Sequence, residues 1–325
     1  MPYDLTKRLV VGLSSSALFD LDASDHIFRT QGEEAYRDYQ KEMQDEPLKR
    51  GVAFPFIRRL LKLNELRPED PPVEVILLSR NDPDTGLRVM NTIAHYELGI
   101  TRAVFLQGKS PYRYIPAFDI ELFLSANSQD VHQAVLAGYP AGQILNGDNI
   151  IDDTDDLDLR IAFDFDGVIA DDESEGVYQS SGQLADFHSH ESELVDVPHN
   201  PGPLMPFLKR IADIQKLEAE KQLTDPTYVP LLNVSIVTAR NAPSHKRVIN
   251  TMRAWDIFVN DAFFMGGVKK SKVLEILKPH IFFDDQQLHL QSASVLPSVH
   301  IPFGVANVQV PGHTEEESKG SNKDQ

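Results

Sequence analysis

Two aspartates separated by one residue end an apolar run in FDFDGVIADDESE, Phe163 to Glu175. Residues two apart on a strand point to the same side, and Gly167 lets the chain turn directly after them. Such a pair would lie at the carboxyl edge of a parallel sheet, where these sheets bind ligands. This placement suits Asp164 as nucleophile and metal ligand, and Asp166 as general acid and base whose backbone carbonyl is available to a cation.

A phosphate-binding motif is indicated in VSIVTAR, Val234 to Arg240, where an apolar strand ends at a threonine. The hydroxyl of Thr238 and the neighbouring backbone amides of Ala239 and Arg240 could hold a phosphate at the start of the next helix. A strand that ends in a polar residue is also typical of a turn or helix cap, so this motif alone decides little.

A lysine loop and a third polar strand end complete the set. A lysine from MGGVKKSK could neutralise phosphoryl oxygens, and IFFDDQ closes an apolar strand with Asp284 and Asp285. Together with Asp164 and Asp166 these carboxylates form an oxygen-rich site that favours a hard cation such as Mg²⁺. Four such features, in this order at strand ends, are hard to obtain by chance.

The elements that must position these residues alternate along the chain. Helical periods separate the apolar runs, as in Leu204, Phe207, Leu208, Ile211 and Ile214, so the pattern predicts a parallel sheet covered by helices. The runs predicted to be strands are Leu9–Leu13, Val73–Leu78, Ala103–Leu106, Glu121–Leu124, Arg160–Phe163, Val234–Val237, Ala262–Met265 and His280–Phe283.

The chain also repeats itself. Ser79–Asn127 aligns with Thr238–Gln286 without a gap at an offset of 159, and RVMNT falls on RVINT. We therefore expect one α/β unit present twice, each copy able to build its own core. The first copy lacks the chemistry, because the positions of the aspartates, the lysine and the last two carboxylates hold Ser14, Ser16, Pro111, Ser125 and Ala126.

These features predict a degenerate half at 1–146, an acidic linker at 147–158, a catalytic half at 159–312 and a disordered tail at 313–325. An insert at about 172–202 follows the first motif. In that insert FHSHE could suggest zinc, but two histidines without further ligands favour a solvated surface. The linker lacks the glycine and glutamate of a calcium loop.

Composition narrows the function classes. The chain has 325 residues, 41% of them hydrophobic, a formal charge of −18 and no cysteine. Its charge argues against nucleic-acid binding, and the absence of cysteine excludes disulfides and cysteine nucleophiles. The short apolar run near the N-terminus is typical of neither a signal peptide nor a membrane span. We expect a cytoplasmic protein that binds neither nucleic acid nor membrane.

The ordered motifs resemble the haloacid dehalogenase-like superfamily, with its hhhhDxDG, hhhT/S, Lys and hhhhDD pattern. Phrases such as SSSALF, QGEEAYRDYQ, FDGVIADDESE, VTARNAP and LKPHIFFDDQ are similar to the cytosolic 5′-nucleotidase type I family across most of residues 9–310. The resemblance implies tandem Rossmann-like units of this superfamily, the second catalytic with a small cap insert. It also implies Mg²⁺-dependent hydrolysis of nucleoside 5′-monophosphates, typically AMP.

Site roles follow from the resemblance, residue by residue. Asp164 forms an aspartyl-phosphate, Asp166 protonates the leaving oxygen and then activates water, and Thr238 binds the phosphoryl group. Lys270 is the implied catalytic and substrate-binding lysine, although Lys269 remains possible because the family places proline before its lysine. The implied direct metal ligand of the last pair is Asp285, supported by Asp284.

Alternatives remain open at this stage. Another phosphohydrolase or phosphotransferase on the same scaffold would share the motifs, and a non-enzymatic nucleotide sensor would not need them intact. The first half is either a structural or oligomerisation element of a homo-oligomer, or a site for a nucleotide activator near Ser14–Ser16, Ser79 and GKSPYR.

Overall fold

The computed structural model describes residues 3–145, 152–293 and 296–307, which fold around one ten-stranded sheet with helices on its faces. The predicted α/β class with a mostly parallel sheet is confirmed. The predicted tail at 313–325 and residues 147–151 of the predicted linker lie outside the described residues.

The first half alternates strands and helices. Its strands are β1 Leu9–Leu13, β2 Phe19–Asp20, β3 Lys49–Arg50, β4 Val73–Ser79, β5 Arg102–Phe105, β6 Leu122–Ser125 and β7 Ala141–Ile144. Its helices are α1 Ser15–Leu18, α2 Asp22–Glu42, α3 Phe54–Lys62, α4 Gly86–His95 and α5 Ser128–Leu136. Helix α2 is broken at Gly32, whose φ of 89° lies outside the helical region.

The second half follows the same alternation. Its strands are β8 Leu159–Phe163, β9 Leu232–Thr238, β10 Asp261–Phe264, β11 Ile281–Asp284 and β12 Ser298–His300. Its helices are α6 Glu173–Ser181, α7 Leu184–Glu193, α8 Met205–Thr224, α9 His245–Ala254, α10 Ser271–Leu277 and α11 Gln287–Ser292.

The strand order divides the sheet into two similar groups of five. The order is β10-β9-β8-β11-β12-β7-β6-β1-β4-β5, and all neighbours are parallel except β12 and β7, which join the groups antiparallel. Read outward from that junction, each group has the same order. The offset of 159 also maps β4, α4, β5 and β6 onto β9, α9, β10 and β11, each with identical bounds.

All eight apolar runs predicted as strands are strands, with ends that differ by up to two residues. Strands β7 and β12 escape prediction, because AGQI and a three-residue strand give no long apolar run. Their contact is close: a Cβ on Gly142 would lie 2.3 Å from Cγ1 of Val299. Glycine in β7 therefore lets the two groups of strands approach at their junction.

The main core runs through both halves. It contains β1 and β8 residues together, and all five predicted apolar residues of the α8 segment are buried in it. Phe163 stacks on Phe283 with ring centroids 5.1 Å apart, and Phe207 closes the aromatic group. The repeat predicts a separate core for each copy, but the largest apolar cluster is continuous across the junction.

Two sequence interpretations need correction. The predicted linker is not uniformly exposed, because the side chain of Asp152 is 5% exposed and pairs with Arg59 at 2.6 Å, where two arginines of α3 face it. In the insert, FHSHE is only partly solvated, because Phe187 and Glu191 are buried. Phe258, just beyond α9, is 67% exposed and lines a surface cleft.

A buried histidine ties β8 to the segment before β11 and predicts an acid-sensitive step in stability. His280 Nδ1 accepts a hydrogen bond from the Arg160 amide at 3.1 Å. Burial, and then the charges of Arg59 and Arg160, lower the pKa of His280 to about 3. The folded pKa lies below the ordinary value of 6.5, so this stabilisation is complete above pH 6.5 and decreases as the pH falls toward 3.

Between pH 6.5 and about 4, the unfolding free energy of the wild type should fall as the pH falls, with a contribution to the slope of about one proton from His280. We predict that His280→Asn removes that contribution, so its unfolding free energy falls less steeply. An asparagine oxygen can still accept from the Arg160 amide but takes up no proton. Urea titrations at several pH values measure the slope, and exposed His132→Asn is the matched control. Parallel pH profiles for wild type and His280→Asn would contradict the assignment.

Candidate functional site

The predicted site residues converge at the carboxyl ends of three adjacent strands. Asp164 directly follows β8, Thr238 is the last residue of β9, and Asp284 is the last residue of β11. Lys270 immediately precedes α10 and reaches the same edge. Asp164, Thr238, Lys270 and Asp284 are all at least 96% buried. Parallel strands bring their ends to one edge, which explains the meeting of residues far apart in the chain.

Lys270 bridges two of the carboxylates. Its Nζ lies 2.5 Å from Oδ2 of Asp164 and 2.7 Å from Oδ2 of Asp284. Lys269 is exposed, so the structure brings Lys270 and not Lys269 into the cluster. Asp164 also accepts a 2.7 Å hydrogen bond from the Phe165 amide, which orients its carboxylate.

The protonation of this cluster depends on burial and mutual charge. Burial raises the pKa of Asp164 against the opposing charge of Lys270, and with the added effect of the Asp284 charge the pKa of Asp164 is about 7. Burial alone would lower the pKa of Lys270, but Asp164 and Asp284 hold it above its ordinary value. Burial would raise the pKa of Asp284, but Lys270 and His289 outweigh that effect and keep it lowered.

Asp285 is the least satisfied carboxylate of the site. It is 4% exposed, and its Oδ1 has no hydrogen-bond partner among the described residues. Burial, followed by the charges of Asp164 and Asp284, raises its pKa to about 9. Oδ2 lies so near Gly167 that a Cβ there would be 2.6 Å away, and the φ of 70° at Gly167 also favours glycine.

The donor set fits a hard cation. Asp164, Asp284 and Asp285 surround a single ammonium, so their full ionisation would leave a surplus of negative charge for a cation to compensate, and one buried oxygen is unpaired among the described residues. Oxygen donors of this kind suit Mg²⁺. A nitrogen of His289, a residue the motifs did not indicate, also lies within 4.8 Å of ligand atoms of Asp164 and Asp284.

Asp166 occupies a different position from the other carboxylates. Its two oxygens accept hydrogen bonds from Arg240 Nε at 2.7 Å and Nη2 at 2.6 Å. The threonine motif predicts that the Arg240 amide binds phosphate, but that amide donates to Oγ1 of Thr238 at 3.2 Å. The side chain of Arg240 is therefore the part that contacts another predicted site residue.

A buried polar network behind Arg240 was missed from the sequence. Glu191 of the insert contacts Arg240 and accepts from Arg247 Nη1 at 2.9 Å and from Ser174 Oγ at 2.7 Å. Burial alone would raise the pKa of Glu191, but the hydrogen bond with His199, the charge of Arg240 and the bond from Ser174 hold it far below its ordinary value. The sequence feature that could have indicated this network is the arginine shared by the repeated segments RVMNT and RVINT.

A cleft of about 320 Å³ opens over the cluster. The insert contributes Glu175, Tyr178, Leu184 and Phe187 to its wall. The remaining lining residues are Asp164, Asp166, Thr238, Ala239, Arg240, Asn241, Gly266, Gly267, Gln286 and His289. The cleft is thus polar and acidic at the strand ends and partly apolar under the insert.

The equivalent edge of the first half is occupied by hydroxyls. Ser14 Oγ lies 3.0 Å from Ser16 Oγ and accepts from the Ala17 amide, and Ser15 Oγ lies 3.2 Å from Ser79 Oγ. Asp130 pairs there with Arg80. The hydroxyl oxygens at this edge carry no charge that would gather a metal ion.

The described residues contain no helix that is both long and apolar enough to cross a membrane. What they do form is an α/β protein whose sheet carries an acidic, lysine-bridged site at its carboxyl edge, an arrangement compatible with the haloacid dehalogenase-like fold. This fold class and site define the kind of protein; the comparisons with known sequences define the family.

A family model described as 5′-nucleotidase matches residues 1–308. Human cytosolic 5′-nucleotidase 1B is 33% identical over 301 residues, which are 90% of this chain and 48% of the human protein. The chain therefore spans about half the length of that relative. No solved structure matches. The chain belongs to the 5′-nucleotidase family, and the predicted resemblance to its cytosolic type I branch is confirmed.

The buried ammonium predicts a large difference between two adjacent lysines. Lys270→Met would leave Asp164 and Asp284 buried without their counter-charge, and we expect a loss of about 3–5 kcal/mol in unfolding free energy near neutral pH. Lys269→Met, at an exposed position, should change it by less than about 0.5 kcal/mol. Denaturant titration of both variants measures this, and equal losses would be incompatible with the cluster geometry.

Proposed function

We propose that this chain is a 5′-nucleotidase that hydrolyses nucleoside 5′-monophosphates, AMP among them, with Mg²⁺. The observation that carries the proposal is the buried cluster in which Lys270 bridges Asp164 and Asp284 beside an unpaired Asp285. The family membership and the name of the human relative support the same reaction.

Asp164 is the proposed nucleophile. Its carboxylate oxygen attacks phosphorus, the bond from phosphorus to the 5′-oxygen breaks, and Asp166 gives its proton to that oxygen, so the nucleoside leaves. Asp166 then removes a proton from water, whose oxygen attacks the aspartyl-phosphate and releases inorganic phosphate and free Asp164. Lys270 stabilises the oxygen charge during both transfers, and the Thr238 hydroxyl binds the phosphoryl group.

Mg²⁺ is the cofactor that the donor set suits best. Asp164, Asp284 and Asp285 would hold it, with Asp285 as a direct ligand and the backbone of Asp166 as a further oxygen donor. When bound, the ion would neutralise phosphoryl oxygens and the surplus charge of the carboxylates. His289 lies close enough to orient Asp284.

The cleft supports a substrate larger than phosphate alone. Tyr178 and Leu184 of the insert are 42% and 52% exposed and line the cleft. An aromatic ring and an aliphatic side chain opposite a phosphate site suit the apolar faces of a nucleoside. The residues 172–202 would then act as a small cap over the substrate.

The remaining proposals concern the organisation of the chain. The repeated strand order and the offset of 159 support tandem haloacid dehalogenase-like units divided near the acidic linker, with a catalytically inert first half. A cytosolic location agrees with the name of the human relative. A homo-oligomer and a nucleotide activator at the serine-lined edge remain proposals to be tested by mass measurement and by nucleotide titration.

We expect phosphate release from nucleoside 5′-monophosphates in the presence of Mg²⁺, with loss of at least about 10³-fold in Asp164→Asn and in Asp166→Asn. A panel of purine and pyrimidine monophosphates, ribose and deoxyribose, ranks the substrates. Surface Asp155→Asn is the control for a generic loss of one carboxylate.

Turnover of an aryl phosphate without any nucleotide would preserve the phosphatase chemistry but contradict the substrate. Full activity in Asp164→Asn would contradict the nucleophile and with it the proposed mechanism.

Replacement of Asp285 should raise the stability of the protein without a cation but reduce the stability that Mg²⁺ adds. In chelator the variant Asp285→Asn should be more stable than wild type by about 1–3 kcal/mol, and so unfold at a higher denaturant concentration. The reason is that Asp285, whose buried carboxyl has a pKa of about 9, must take up a proton on folding near neutral pH, whereas the amide stays neutral. With millimolar Mg²⁺ the wild type should gain stability through binding to the folded state, and the variant should gain less.

The measurement is the unfolding midpoint of both proteins with and without Mg²⁺, with Ca²⁺ as a second cation. An equal Mg²⁺ gain in both proteins would remove Asp285 from the metal site.

A further inference from the structure

Glu191, on α7 of the insert, is buried between two arginines of the sheet domain. We propose that Glu191 is a positioning residue that fixes Arg240 and, through it, the carboxyl group of Asp166, so that seating of the insert places the acid–base residue of the reaction. This inference rests on the proposed function, in which Asp166 protonates the leaving oxygen.

Arg240 is held on every side. Two of its nitrogens donate to both oxygens of Asp166, Nη1 contacts Glu191, and Nη2 lies 3.0 Å from His199 Nε2. The rings of Phe165 and Phe187 lie 5.4 and 5.2 Å from its guanidinium carbon. Because the side chain of Arg240 is only 2% exposed, water could not replace the hydrogen bond of a partner that was removed.

Glu191 distributes its two oxygens between distinct groups. Oε2 contacts Arg240, while Oε1 accepts from Arg247 at 2.9 Å and from Ser174 at 2.7 Å. Ser174 belongs to the other insert helix, α6. One carboxylate therefore joins both insert helices to α9 and to the residue that holds Asp166.

The first half contains an internal comparison for this network. Arg88 takes the place of Arg247 at the offset of 159, and Gln40 on α2 takes the place of Glu191 because each contacts that arginine through its Nη1. Arg88 Nη1 donates to Gln40 Oε1 at 3.2 Å and its Nε to the Glu46 carbonyl at 3.0 Å. Arg247 Nε likewise donates to the Val197 carbonyl at 2.9 Å. The structural arginine is present in both halves.

The residues linked to proton transfer differ between the halves. The inert half has Ser16 where the second half has Asp166, Asn81 where it has Arg240, and Gln40 where it has Glu191. All three charges are thus absent together where no proton donor is needed. If Glu191 served only to pair with the buried Arg247, a glutamine would be sufficient, because Gln40 pairs with Arg88 in the same geometry.

The test is the substitution that the first half already contains, Glu191→Gln. A nucleoside monophosphate leaves as an alkoxide that needs the proton of Asp166, whereas an aryl phosphate with an acidic phenol leaves without it. We expect kcat/KM for the nucleotide to fall about 10²-fold, since misplacement of a catalytic group by about 1 Å can cost this much, and kcat/KM for the aryl phosphate to fall only a few-fold.

The matched control is Glu193→Gln, an exposed residue on the same helix, which should leave both substrates unaffected. If Glu191→Gln folds poorly, the double variant Glu191→Gln with Arg247→Met removes one buried cation together with the anion. It should fold and still show the larger loss on the nucleotide.

Equal losses on the two substrates, or no loss on either, would overturn the positioning role while leaving the proposed function intact. A wild-type chain that turns over neither substrate would overturn the proposed function and this inference with it. The ratio of the two kcat/KM values therefore separates positioning from a purely structural contribution.

Discussion

The buried ammonium of Lys270 between Asp164 and Asp284 is the interaction on which the arrangement of the site depends. Two carboxylates at the ends of adjacent strands repel each other in a medium of low polarity, and one lysine at the start of α10 compensates only part of that charge. The strand ends must therefore be held together by packing elsewhere, and the aromatic contact of Phe163 with Phe283 directly below them supplies such packing.

The need for packing gives the first half a structural role that does not depend on any chemistry of its own. Strand β12 has β11 on one side and would be an open edge on the other, yet it carries His300, whose Nε2 lies 3.0 Å from the carbonyl of Asp285. Strand β7 of the first half covers that edge in an antiparallel pair. An uncovered edge strand invites pairing with other chains, so the first half protects the strand next to Asp284 and Asp285.

Local periodicity and polar strand ends were sufficient to predict much of the fold and of the site. Apolar runs located eight strands, and polar residues after them located Asp164, Thr238 and Asp284 at one edge. The same reasoning could not find β7 and β12, whose pairing is decided by the close approach at Gly142 rather than by apolar content. It also missed the partners of Glu191, because a buried carboxylate in a polar segment has the same local pattern as a solvated one.

The charge of the cleft links the proposed metal site to the proposed binding of substrate. Its described lining includes Asp164, Asp166 and Glu175, while Arg240 is the cation and is already paired with Asp166. A phosphate dianion would therefore meet a surface of its own sign, and Lys270 is committed to two carboxylates beneath it. Because each described cation of the site is already paired, a positive charge added to this edge would strengthen phosphate binding beyond what the Thr238 hydroxyl supplies. Such a charge would be stabilised most beside Oδ1 of Asp285, the buried oxygen that has no hydrogen-bond partner among the described residues.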